Sequence, residues 1–93
     1  MTNCTTRAHA LWESELNIKY VDLRNLLSEK QKLALRDSQR QWIIFRDLEF
    51  KVIDAFYSTL DGTMYTPMRA ADRLEIVKSR VLQLNSYVAL IKE

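Results

Sequence analysis

The chain has one glycine and one proline, Gly62 and Pro67, and the two stand close together. These residues most often break helices and open turns, so their absence elsewhere removes the usual punctuation of a chain of short strands. Two long uninterrupted stretches flank a single strong turn signal. Such a chain favours long helices, and its periodicity agrees.

Trp12, Leu16, Tyr20, Leu23 and Leu27 recur at helical spacing and keep to one face, predicting a first helix over about residues 5–27. Asn3 or Thr5 suits its N-cap, and Glu15 with Lys19 forms an i,i+4 pair in the favourable order. Ser28-Glu-Lys-Gln31 then matches a capping box, in which Ser and Gln satisfy each other's backbone N–H groups. The chain should turn there and enter a second helix over about 29–60, roughly 48 Å long. Asp61-Gly62 suits a helix end, and Thr66-Pro67 reads as an N-cap with Pro at the first helical position. Leu74, Val77, Val81, Leu84, Val88 and Ile91 make a heptad-like seam through a third helix, about 67–91. The expected fold is all-α. It is a single domain over 1–93, either a three-helix bundle or a long helical hairpin with the N-terminal helix packed back on it.

Composition narrows the function. The apolar share, 47%, and charged share, 28%, are those of a globular domain, and no apolar run is long enough to span a membrane. The net charge of +2 is spread evenly, without the concentrated positive field that nucleic-acid binding needs. The second helix is also too long for a compact helix-turn-helix. Arg69, Arg73 and Arg80 share a face of the third helix, and the expectation is a solvated face balanced by Asp72 and Glu75. The single Cys4 forms no internal disulfide. His9 reads as a surface histidine, and Cys4, His9 and Glu13 lack the spacing of a zinc site. Paired carboxylates such as Glu13–Glu15 and Asp47–Glu49 point to different helix faces and read as solvated charges. No catalytic, cofactor or metal-binding motif is present, so an enzyme is not expected.

The stretch Asp37-SQRQWIIFRDLE-Phe50 is less regular. Gln39, Trp42 and Arg46 line one face, and a buried Trp and Arg both need hydrogen-bond partners. A satisfied network that fixes helix register is the expectation, with Asn17 on the first helix supplying part of it. Trp42, Ile43, Ile44 and Phe45 point in four directions about 100° apart, more than one neighbouring helix covers. Part of that surface is left for a second copy of the chain or for another partner. Met64, Tyr65 and Met68 form either a contact surface or a plug at the bundle end.

The same residues carry a resemblance. Leu35-RDSQRQWIIFR-Asp47 resembles the L-x-x-x-Q-R-x-W-x-x-x-R-D signature of the LprI-like family of bacterial lysozyme inhibitors. Leu16, Asn17 and Tyr20 are similar to its L-N-x-x-Y element. Asp61-GTMYTP-Met68 resembles its Gly-rich loop, and Arg80 with Leu84 its T-x-x-R-x-x-x-L element. The resemblance implies an exported helical domain that occludes a muramidase. It marks Asn17, Tyr20, Gln39, Trp42, Arg46, Asp47 and Arg80 as signature residues. Partner contacts are then expected at Asp61, Gly62, Thr63, Met64 and Tyr65, with exposed parts of helix two. Members commonly carry cysteine pairs. Here Phe50 and Asp72 stand at or near two such positions, which implies loss of a bridge between helices two and three. A processed domain of this kind belongs in the cell envelope or periplasm, whereas Met1 as a natural start, with no signal-peptide pattern, places it in the cytosol. The alternative function is a structural or regulatory module that self-associates through helix two, with no lysozyme target.

Overall fold

The computed structural model describes residues 2–60 and 65–93, with side chains described from Arg7. It is all-α: α1 spans Thr2–Asn25, α2 Glu29–Tyr57 and α3 Tyr65–Lys92. Cross-helix contacts fix an up-down-up course. His9 and Glu13 of α1 meet Phe50 and Arg46 of α2, so these helices are antiparallel. Arg69 and Arg80 of α3 meet Asp54 and Gln39 of α2, also antiparallel, and Lys78 of α3 lies over Trp12 of α1. Hence α3 runs parallel to α1.

The helix limits differ from the expected ones at three ends. α1 is already helical from Thr2, so Asn3 and Thr5 lie inside it, with no Gly or Pro nearby to delay its start. α2 stops at Tyr57. There the Ser58 and Thr59 hydroxyls donate to the carbonyls of Ala55 and Phe56 at 2.9 and 2.8 Å, satisfying acceptors the last turn leaves open. α3 starts at Tyr65, so Thr66 is not its cap, and Pro67 occupies the first turn, where its missing N–H has no helical partner to lose.

The corner at Ser28 is the capping box expected there. Ser28 is extended (φ −69°, ψ 167°), its Oγ accepts from the Gln31 amide at 3.3 Å, and Gln31 Oε1 accepts from the Ser28 amide at 2.9 Å. Ser28→Ala should cost about 1 kcal/mol in urea unfolding followed by helix ellipticity, and Ser28→Gly only a few tenths.

Seven apolar residues form the buried core: Leu16 and Leu23 of α1, Leu35 of α2, and Val77, Val81, Leu84 and Val88 of α3. The α1 and α3 stripes therefore close on each other, and α2 adds one buried apolar side chain, with Trp42 and Phe50 at the rim. Ile91, the last seam position, is 41% exposed. The molecule is long and thin, 50 × 23 × 16 Å. Its radius of gyration is 15.6 Å, against about 12 Å for a compact chain of this length. Its accessible surface, 6664 Å², exceeds by roughly 1,000 Å² what a monomer of this mass usually shows. Among the described residues, no helix is long and apolar enough to cross a membrane.

Candidate functional site

The inward face of α2 is aromatic and polar, so its attachment to α3 is a seam of cations and rings. The Arg73 guanidinium lies 4.4 Å from the Phe50 ring centroid. Arg46 lies 5.9 Å from that ring and 5.5 Å from Trp42. Arg80 lies 5.9 Å from Trp42. Three guanidiniums thus alternate with two rings along the seam, each attracted by the negative ring face. The rings also hold the like charges apart.

Arg80 is the most buried member, with 6% of its surface exposed. Its Nε donates to Gln39 Oε1 at 3.0 Å, Nη2 to Ser38 Oγ at 3.2 Å, and Nη1 to Gln83 Oε1. All three acceptors are neutral. Burial lowers the guanidinium pKa from its ordinary value, although an arginine stays charged in such a setting. Arg46, by contrast, sits between Glu13 of α1 at 3.6 Å and Asp47 at 3.1 Å, with 22% of its side chain exposed. Glu13 also lies 3.3 Å from His9. Arg69 closes the far end, its Nε and Nη2 donating to Asp54 Oδ1 at 2.8 and 2.7 Å.

Several expectations are corrected. Arg69, Arg73 and Arg80 do share a face, but that face meets α2: Arg80 is buried, Arg73 half-buried, and the Arg69 side chain stays 42% exposed. Their partners are Asp54, Phe50, Trp42 and Gln39, not Asp72 and Glu75. Asn17 is exposed on α1, and among the described residues no hydrogen bond joins it to the seam. His9 is half-buried with its ring 6.1 Å from Phe50, and Glu13 is drawn into the α1–α2 contact, not solvated. Tyr20 packs at the rim of the core. Gln39, Trp42, Arg46, Asp47 and Arg80 do come together. Asp61, Gly62, Thr63 and Met64 lie outside the described residues. Tyr65 is half-buried, 6.2 Å from the Tyr57 ring. Ser38, Gln83, Phe50 and Arg73 were not singled out for this network, and of these only Gln83, one turn from Arg80, had a local signal.

Phe50 and Asp72, where the resemblance implies a lost bridge, have different partners. Phe50 sits under Arg73, and Asp72 accepts the Tyr57 hydroxyl. That hydrogen bond is the main cause holding the Tyr57 pKa above its ordinary 10.0. A raised pKa contributes stability that is complete below the unfolded value and lost as pH climbs through the folded one. Tyr57→Phe should therefore lose less stability than wild type when urea midpoints are compared on either side of about pH 10.

On the outer flank of the seam runs an open groove of about 560 Å³, lined by Trp42, Phe45 and Ile53 with Glu49, Asp72 and Glu75 among its polar groups. Beyond it α2 exposes Ile44, Leu48, Val52 and Phe56. Among the described residues no three His, Cys, Asp or Glu side chains gather as metal ligands.

The arginines of the seam are engaged in holding helices, and the outer surface is apolar with charged borders. Fold and surface together define a small all-helical domain suited to protein contact. The chain belongs to the LprI family: the family model described as Lysozyme inhibitor LprI matches residues 1–84. Comparison with curated proteins and with solved structures returned no match.

Proposed function

We propose that the chain is a non-enzymatic protein-binding domain that inhibits a lysozyme-type muramidase by occluding it. The family match over residues 1–84 carries this reading. The contact surface proposed is the 61–67 segment together with exposed parts of α2. Residues 65–67, the described part of that segment, open α3 at the end of the bundle where α1 begins. The seam residues Gln39, Trp42, Arg46, Asp47 and Arg80 then act by fixing how α2 lies on α3, not by touching the enzyme. Lysozyme turnover with excess purified protein is the test, with a sizing column to detect a complex. Inhibition with a co-eluting complex is expected, and undiminished turnover without a complex removes the reading.

A second reading is favoured by one observation: Ile44, Leu48, Val52 and Phe56 are 51, 54, 41 and 65% exposed on one side of α2. Self-association through α2 covers that stripe. Ile44→Glu should then shift light scattering toward monomer, with the melting temperature unchanged only at concentrations where wild type is monomeric too.

A further inference from the structure

We propose that the outer face of α2 is a two-fold seam on which a second copy of this chain packs with the two α2 helices parallel. The inference rests on the self-association reading and is independent of any muramidase target.

The borders of the stripe decide the arrangement. At about 100° per residue, Ile44, Leu48, Val52 and Phe56 cover roughly a third of the helix circumference. Arg40 and Lys51 lie along one edge. Glu49 lies along the other, backed across the groove by Asp72 and Glu75 of α3. From Arg36 to the end of α2, Arg40, Glu49 and Lys51 are the charged side chains without a salt-bridge partner among the described residues. All three border the stripe. Asp72 and Glu75 likewise form no salt bridge there, and Asp72 accepts only the Tyr57 hydroxyl.

A two-fold axis along the helices brings opposite edges of a stripe together, whereas one perpendicular to them brings like edges together. A stripe that is basic on one side and acidic on the other is self-complementary only in the first case. The heights also match. Glu49 and Lys51 stand two residues apart on opposite edges, within about 3 Å of each other along the helix axis. In a parallel, in-register pair, Lys51 of each copy meets Glu49 of the other. The antiparallel pair sets Glu49 against Glu49 and Lys51 near Lys51, which repel.

The test is sedimentation equilibrium of the full chain carrying Cys4→Ser, alone and with either Gln41→Cys or Ala55→Cys. Residues 41, 48 and 55 are heptad-spaced on the stripe, so like positions meet only in a parallel pair. The expected result is a monomer–dimer equilibrium in which each cysteine variant cross-links to itself on oxidation. Lys51→Glu and Leu48→Glu, both outside the core, should each weaken it about tenfold or more, with helix melting unchanged at concentrations where the chain is monomeric. Mixing the Lys51→Glu chain with a Glu49→Lys chain should restore association. A dimer that cross-links only when the two cysteine variants are mixed leaves self-association standing and overturns the parallel seam. So does a dimer indifferent to Lys51→Glu. A wild-type chain that stays monomeric at every attainable concentration overturns both, including the case where another protein's helix covers this face.

Discussion

Leu84→Ala should destabilise the fold by about 3–5 kcal/mol, the largest loss expected from any single truncation in this chain. Leu84 is fully buried, at 0% exposure, and sits in the α1–α3 zipper between Val81 and Val88. Among the described residues seven apolar side chains make up the buried core, and only Val77 is as fully enclosed, so few neighbours are available to collapse into the space left. A domain of this size commonly has on the order of 5–14 kcal/mol in total, so the variant should melt on the order of 15 °C lower. Leu82, two residues away on the same helix, is 52% exposed. Leu82→Ala should change stability by no more than about 0.5 kcal/mol. Urea unfolding of the pair, followed by helix ellipticity, measures the difference. Equal losses at both positions sink the assignment of α3 as the helix at the centre of the core.

That contrast reflects which parts of the fold were legible in the sequence. The α1 and α3 stripes were, because a face that packs on another apolar face leaves an uninterrupted period of three and four. Six of the seven buried core residues were named by that period on α3 and α1 alone, as Leu16, Leu23, Val77, Val81, Leu84 and Val88. The Ser28 cap was equally plain, since both of its hydrogen bonds close within three residues. α2 was harder. Its inward face is built from Gln39, Trp42, Arg46 and Phe50, and period alone does not say whether such residues face water or a neighbour. Of Trp42 to Phe45, Trp42 is turned toward α3, while Ile43, Ile44 and Phe45 stay 39, 51 and 50% exposed.

The arginine face of α3 was misjudged for a related reason. Asp72 and Glu75 were the nearest acids in sequence, and local balancing was the simpler expectation. The partners chosen instead lie 15 residues away at Asp54 and 41 and 42 away at Gln39 and Ser38. Only the antiparallel registration of α2 on α3 brings them into reach, and that registration is a property of the packed helices. Asn17 failed in the opposite sense. It neighbours Leu16 in sequence, but adjacent helix positions diverge by about 100°, and Leu16 takes the buried side. The start of α3 also followed tertiary context: Thr66-Pro67 is a sound local start signal, yet the helix takes in Tyr65, which packs beside Tyr57.

Arg80→Ala and Arg80→Met should separate the two things this side chain does. Truncation to Ala removes the packing of a nearly buried chain against Trp42 and leaves a void at the seam, a loss of about 2–4 kcal/mol. Met keeps much of that volume and removes a charge that is buried without any carboxylate to offset its lost hydration. Its hydrogen-bond acceptors are Gln39, Ser38 and Gln83, of which Ser38 and Gln83 are exposed and Gln39 half-buried, so water can replace most of what Arg80 donated. Replacing a buried charge by an apolar residue of similar size is often close to neutral, so Arg80→Met should lie within about 1 kcal/mol of wild type. What Met lacks is direction. Two donors of Arg80, Nε and Nη2, tie Gln39 and Ser38 of α2 to one height on α3, and a thioether has no such donors. Arg80→Met should therefore keep its melting midpoint while amide protons along α2 exchange faster and indole fluorescence from Trp42 broadens. If Met falls as far as Ala, the hydrogen bonds and not the packing carry the stability. If Met matches wild type in exchange as well, Arg80 does not set the register of α2.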